Sequence, residues 1–382
     1  MRRVAVAGIG LTPIGEHWDK SIIDLSIEAA YEALDDSGSR EIDTIYIANM
    51  GSAFIQRQQH LGAMISDALG FNNINSLSIE ASYASGGFAF NEGVHAVASG
   101  ASDSVLVIGV EKMSDALPEE VASVLAMSED QEYTAYTGIT NFGLNALIHR
   151  FYMERYGVTA SDIAMFAVKC HEHAEGCLHA QYPFKISVDR ILTSPMESDP
   201  IHTLECSGIG DGAAAVLLKP FEGKDREVEV LSTAASTDVF HLTQRRDITT
   251  LNAVRSAAEN AFRTAGVSRE EIDLLEVHDD STIMGVLSLE DLGFAEKGKG
   301  STLVVEGVTS RNGELPTNTF GGLKARGNPV GATGVYQISE IVMQLRGEAG
   351  KCQVENARVG LAENLGGTGS SCSVSILRRV LD

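Results

Sequence analysis

This chain contains an echo of itself, and no other feature limits its fold as tightly. Residues 29–47 read AAYEALDDSGSREIDTIYI, and residues 257–277 read AAENAFRTAGVSREEIDLLEV. Each runs from a helical pattern through a glycine stop and an acidic stretch to Ile-Asp and an apolar strand. A second echo follows in the same order. ASGGFAF at 84–90, a helix and SDSVLVIGVEK match GATGVYQ at 331–337, a helix and NARVGLAEN. One helix–glycine–strand match is a common coincidence, but two in the same order indicate an internal repeat. The reading is two similar α/β halves, roughly residues 1–112 and 226–382. Residues 113–225 form a loop domain between them that returns to the first half.

The local patterns fit that plan. Val4–Gly8, Thr44–Ala48 and Ser104–Val110 are short apolar or β-branched runs and predict strands. Ile22–Ser37 has helical apolar spacing, with Gly38 where a helix stop belongs, and Phe88–Ala98 predicts a helix of small residues. A β–α–β–α rhythm implies sheets covered by helices. The inserted segment, rich in Tyr, Asn and Gly before it turns helical, reads as a binding loop, a lid or a packing element.

Charge and composition exclude several classes. Lys and Arg number 29 against 52 Asp and Glu, a formal net charge of −23. A nucleic-acid binder needs a basic face, so that class is set aside. No apolar run approaches the roughly 18–20 residues of a membrane span. The start, MRRVAVAGIG, has a basic tip, but its apolar part is short and no small-residue cleavage site follows, so it reads as a first strand. The five cysteines, at 170, 177, 206, 352 and 372, have an odd count and irregular spacing. They suggest a reducing, cytoplasmic compartment, not a disulfide framework.

Five stretches have residue types that do chemistry. In Glu80-Ala-Ser-Tyr-Ala-Ser-Gly-Gly87 a strand meets a helix through small residues. Such a turn holds a side chain at a helix N-terminus, and the side chain there is Tyr83, a poor nucleophile. Gly321-Gly-Leu-Lys-Ala-Arg-Gly-Asn-Pro-Val-Gly-Ala-Thr-Gly334 is a tight glycine loop, in which Lys324 and Arg326 read either as phosphate contacts or as caps of an element. Glu276-Val-His-Asp-Asp-Ser-Thr282 is a strand end expected to expose His278, Asp279 and Asp280. His278 there reads as a general base, as a hydrogen-bond donor or as a purely structural residue. Ala362-Glu-Asn-Leu-Gly-Gly-Thr-Gly369 reads either as an oxyanion-binding glycine loop around Gly366 and Gly367 or as a plain hairpin before a last strand at Ser371–Leu377. Cys170, His173 and Cys177 fall at i, i+3 and i+7 on one helical face. Without a CxxC pair or a fourth ligand they do not make a metal site.

Taken together, these stretches resemble the thiolase superfamily, in particular its archaeal acetyl-CoA acetyltransferase and sterol-carrier-protein-type branch. The likeness runs over essentially the whole chain, from VAVAGIGLTPIG through EASYASGGFAF, VLVIGVEKMS, CSGIGDGAAAVLL, EVHDDSTI and EDLGF to GGLKARGNPVGATG and NLGGTGSS. The resemblance implies a five-layered αβαβα subunit of two similar halves plus a loop domain, in a homodimer or dimer of dimers. It implies Claisen condensation and thiolysis of 3-ketoacyl-CoA, with coenzyme A or acyl-CoA as ligand and no tightly bound cofactor. It also implies, from archaeal relatives, a zinc-ribbon/OB-fold accessory protein and 3-hydroxy-3-methylglutaryl-CoA synthase as partners.

The family's chemical positions are not all filled in the usual way. Where the resemblance implies a cysteine that takes the acyl group stands Tyr83, and where it implies the histidine that activates that cysteine stands Asn328. Where this branch has a histidine before Asn in its final glycine motif stands Glu363. His278 is retained, as are the glycines that shape the loops, and His171 matches a histidine in a similar helix of relatives. A covalent acyl intermediate needs an ionisable nucleophile beside a base, and Asn328 accepts no proton near neutral pH. The expectation is a thiolase-like protein that binds CoA or acyl-CoA without standard turnover. The alternatives are an acyltransferase or lyase in which His278 and Glu363 form an acid–base pair and Tyr83 is a hydrogen-bond donor, or a structural partner with no ligand.

Overall fold

A computed structural model describes residues 2–380. The first half opens with strand β1 (Val4–Leu11), helix α1 (Ile22–Ser37), strand β2 (Thr44–Ala48), helix α2 (Leu61–Ala68), strand β3 (Asn75–Ile79), helix α3 (Ser85–Ser99) and strand β4 (Val105–Glu111). Helix α1 starts in a capping box, Ser21 with Asp24, and stops where Gly38 turns left-handed, as its end residues direct. The intervening segment supplies α4 (Pro118–Ala126), α5 (Asn141–Tyr156) and α6 (Ala160–Ala174) before strand β5 (Gly212–Pro220). The second half runs β6 (Val228–Thr237), α7 (Asn252–Ala265), β7 (Leu274–Glu276), α8 (Thr282–Asp291), α9 (Thr333–Arg346), β8 (Val359–Gly366) and β9 (Ser371–Arg379).

The nine strands are hydrogen-bonded in the order β3-β2-β4-β5-β1-β6-β9-β8-β7. Read outward from the β1–β6 seam, the two sides mirror each other, β5 with β9, β4 with β8 and β2 with β7. A single bridge, Leu275 to Thr317, lies where the second half would have a counterpart of β3. The first sequence echo is the α1–β2 unit matched to α7–β7, and the second is α3–β4 matched to α9–β8.

The halves join at the seam over only three paired residues of β1, Val4 to Val6. Most of the join is made by α3 and α9. These helices pack on each other and each touches strands of both halves, so they form a layer between the two sheet portions. Burial follows: 12 of the 14 residues of α9 are buried, against 7 of 16 in α1. A helix apolar on one stripe lies on an outer face, and one covered all round lies inside. Helix α1 covers β1, β4 and β5 from outside, and α7 covers β6 and β9. The layers are therefore helix, sheet, helix, sheet, helix.

Candidate active site

The turn from β3 to α3 is an elbow. Ser82 has φ of 56°, a left-handed conformation uncommon for serine. It is held by Ser85, whose Oγ donates to the Ser82 carbonyl (2.5 Å) and accepts from the Ala81 amide (2.9 Å). The elbow presents Tyr83, buried at 2% exposure. Its Oη donates to the Leu125 carbonyl (2.7 Å) and accepts from Ser128 Oγ (3.2 Å). Burial pushes the phenol well above its ordinary value, and the nearby carboxylates of Asp280 and Glu129 push the same way. Tyr83 is a neutral donor.

His278 lies beside it, the two rings near-parallel at 12° with centroids 6.4 Å apart. Asn364 organises this pair. Its Oδ1 accepts from the Gly87 amide (3.0 Å), and its Nδ2 donates to the Tyr83 carbonyl (3.2 Å) and to His278 Nδ1 (3.0 Å). An amide that donates to Nδ1 leaves the His278 proton on Nε2. Burial, helped by the charge of Arg326, lowers His278 to about 3, so the ring is neutral. Nε2 is buried and meets no protein acceptor among the described residues. The expectation that His278, Asp279 and Asp280 would be exposed is corrected. All three are buried, because the chain passes from β7 through them into α8, whose ten residues are all buried.

Glu363 is next to Asn364 in β8 but faces the other side, as successive strand residues must. Its Oε2 accepts from the His278 main-chain amide (2.8 Å) and its Oε1 from Ser288 Oγ on α8 (3.3 Å). Burial lifts it to about 8. It is a protonated acid aimed at the outer helical layer, and its contact with His278 is to the backbone, not the ring. The acid–base pairing of these two side chains is thereby corrected.

Asn328 is occupied on both sides of its amide. Nδ2 donates to Ser207 Oγ (3.2 Å) and Oδ1 accepts from Thr333 Oγ1 (2.8 Å). The turn at Gly366 and Gly367 backs onto the elbow: a side chain at Gly366 would lie 2.7 Å from the Ala81 carbonyl. Thr368 of the same turn gives its amide (3.1 Å) and hydroxyl (2.7 Å) to Glu129. The structure thus gathers Tyr83, His278 and the Gly366–Gly367 turn at the elbow, with Asn328 in the adjoining loop.

Lys324 and Arg326 do not form a phosphate site. Arg326 is fully buried and ion-paired to Glu340 (2.7 Å). Lys324 is buried beside the Tyr182 ring. The glycine loop that carries them is packed into the core, so their charges serve the interior. Cys170, His173 and Cys177 also go to separate partners: Cys170 to Asp279 (3.3 Å), His173 to the carbonyls of Thr317 (3.2 Å) and Asn318 (3.1 Å), and Cys177 to Cys352. His171 is buried, its Nδ1 against the Phe184 carbonyl (2.8 Å).

A cavity of about 690 Å³ opens from the surface toward the elbow. Its apolar wall includes Trp18, Met113, Val121, Leu125, Phe142 and Ile209, its acidic groups are Glu16, Asp115, Glu197 and Asp211, and no Lys, Arg or His among the described residues lines it. Leu125 and Ile209 also pack on the buried cluster of Tyr83, Met113, Val124 and Val330. Leu125, whose carbonyl accepts from Tyr83, places Tyr83 next to this wall, with the His278 ring stacked on Tyr83.

Sequence reasoning missed Asn364 and Glu111. Strand alternation was the signal for Asn364, since if Glu363 faces one layer its neighbour faces the other. Glu111 accepts from the amides of Met50 (3.0 Å), Gly51 (3.0 Å) and Gly331 (3.0 Å), and so ties together the loops that frame the elbow. Its position at the end of a buried strand was the only hint.

Known proteins agree with this architecture. The family model for the thiolase N-terminal domain matches residues 4–222, and the model described as thiolase C-terminal domain-like matches residues 234–379. Acetyl-CoA acetyltransferase from Methanothermobacter thermautotrophicus is 44% identical, covering 99% of this chain and 100% of its own. That from Methanocaldococcus jannaschii is 36% identical over 99% of each. Among solved structures, an Ltp2–ChsH2(DUF35) aldolase shares the fold with a TM-score of 0.86 at 21% identity, over 99% of this chain and 98% of that one. With its two mirrored halves, its elbow and its paired family matches, this chain belongs to the thiolase family.

Proposed function

We propose that this protein binds CoA or acyl-CoA in the cavity before the elbow and does not run cysteine-dependent thiolysis. The observation that carries the reading is Tyr83. Where the resemblance places the nucleophile stands a buried phenol that donates its proton to the Leu125 carbonyl and is hydrogen-bonded to no ionisable base. A thiol attacks as its thiolate, whereas this hydroxyl holds its proton far above neutral pH. The cysteines offer no substitute, since all five are buried. An apolar cavity of this size suits an acyl-pantetheine arm. The phosphates would remain at the mouth, since no cation lines the interior.

The test is incubation with acetyl-CoA and acetoacetyl-CoA, read by turnover and by intact mass, beside a Tyr83→Cys, Asn328→His double variant. The expected result is no turnover and no adduct in the unmodified chain, with an acyl adduct in the variant. Steady thiolysis by the unmodified chain sinks the reading.

A second reading rests on His278. A neutral imidazole with Nε2–H free of protein partners among the described residues and oriented by Asn364 is a preorganised donor for an enolate or oxyanion, and the Tyr83 phenol stacked beside it becomes a second donor once its hydroxyl turns from the Leu125 carbonyl. On this reading the chain is a non-covalent acyltransferase or carbon–carbon lyase acting on a CoA thioester. Product formed without an acyl-enzyme adduct, and lost in Tyr83→Phe, would favour it. The broader setting is part of the proposal: a cytoplasmic homodimer or dimer of dimers, working with a zinc-ribbon/OB-fold protein and a 3-hydroxy-3-methylglutaryl-CoA synthase. No helix among the described residues is long and apolar enough to cross a membrane.

A further inference from the structure

Arg245 is in an unusual position for a cation. It is 7% exposed, and neither Nη1 nor Nη2 has a protein acceptor among the described residues. Its Nε makes one long contact, to the Val239 carbonyl at 3.4 Å. Its charge is felt by Glu129 and Asp238, but neither is within ion-pair distance among the described residues. Both acids have other partners: Glu129 holds Thr368, and Asp238 Oδ2 accepts from Asn252 Nδ2 (3.2 Å). A guanidinium cannot shed its proton to escape burial, and a buried charge without a counter-charge is costly. Its two outer nitrogens form a fork that matches a carboxylate.

The place of this fork ties it to the site. The Asp238 amide bonds the Ser370 carbonyl (2.8 Å), strapping the segment before Arg245 to the Gly366–Ser370 turn. Glu129 grips the same turn, and its neighbour Ser128 bonds the Tyr83 hydroxyl (3.2 Å). Residues 241–244, which directly precede Arg245, wall a cleft of about 430 Å³ with Ile139, Leu144 and Leu147.

We propose that Arg245 anchors a carboxylate subsite, for a ligand with an apolar body that ends in a carboxylate. The carboxylate comes from the acyl group of a CoA thioester reaching past the elbow or from a free acid in the cleft. The first source rests on the acyl-CoA reading above, and the second does not.

The test is calorimetric titration of the full chain with succinyl-CoA, butyryl-CoA and free succinate, repeated on Arg245→Gln and Arg245→Lys. A salt-linked carboxylate is expected to make succinyl-CoA bind about ten-fold or more tighter than butyryl-CoA. Arg245→Gln brings that ratio near one, and Arg245→Lys restores part of it. Succinate binding that is lost in Arg245→Gln, with the two thioesters equal, keeps the subsite and assigns it to a free acid. If no thioester binds but succinate does, the acyl-CoA reading fails and the subsite stands. Equal binding of both thioesters with no succinate binding overturns the proposal, as does a preference that survives in Arg245→Gln. If Arg245→Gln fails to fold, Arg245→Lys decides: a preference undiminished in that variant overturns the proposal.

Discussion

Glu363 shows how far one residue can be placed from sequence and where that stops. Its position in the glycine motif was legible, but the face it occupies was not. A one-residue step along a strand exchanges the two layers, and only the pairing of β8 with β9 settles which of Glu363 and Asn364 faces the elbow. The consequence is measurable. Burial raises Glu363 from an ordinary 4.5 to about 8, so the folded state holds this proton to higher pH than the unfolded chain does. Its contribution is neutral below about pH 4.5 and grows destabilising until pH passes about 8, with a slope approaching 1.4 kcal/mol per pH unit. Glu363→Gln removes that titration while keeping an acceptor for the His278 amide. The stability of the variant relative to the wild type is expected to rise across that window in urea unfolding. A flat difference would mean the carboxyl is already ionised in the fold. Tyr83 and His278 were found because whole motifs surround them. Arg245 has no motif, and only burial without a partner marks it.

Among the elements, those with clear end signals were read best. Helix α1 and strand β2 have the boundaries their patterns predict, because a cap, a glycine stop and a β-branched run coincide. Strand β3 was harder to read, since NSLSI is polar and half exposed at the sheet margin. The central helices were legible as helices but not as a buried layer, because α3 is built largely of small residues and α9 buries Gln337, Glu340 and Gln344, which read as solvent-facing. Their contact depends on the absence of side chains. A Cβ on Gly334 would lie 2.3 Å from the Gly87 nitrogen and 2.4 Å from Asn364 Oδ1. Gly334→Ala is therefore expected to destabilise the fold by about 1–3 kcal/mol or more, as overpacking does, and to disturb the His278 orientation that Asn364 sets. An unchanged urea midpoint would show that α3 and α9 can move apart at little cost.

For the whole molecule, the duplication was the most legible property and the assembly the least. Strand β3 ends the sheet with one edge unpaired among the described residues, and Leu77 on it is 41% exposed. Open edges invite pairing, and two copies related by a twofold axis satisfy each other. We therefore propose this edge as the seat of the homodimer. Sedimentation should give twice 40.7 kDa, and Leu77→Lys should give a monomer with unchanged circular dichroism. A monomeric wild type would refute the idea.

The narrow seam has a different consequence. The stretch around residues 221–227 is a surface connection between two halves that look like copies, and it invites cutting there to recover an ancestral unit. Yet each half keeps its central helix, α3 or α9, pressed against strands of the other. A severed half would present that helix and the facing sheet to water, two apolar surfaces with nothing to cover them. On this packing, what arose by doubling is expected to fold only as one piece.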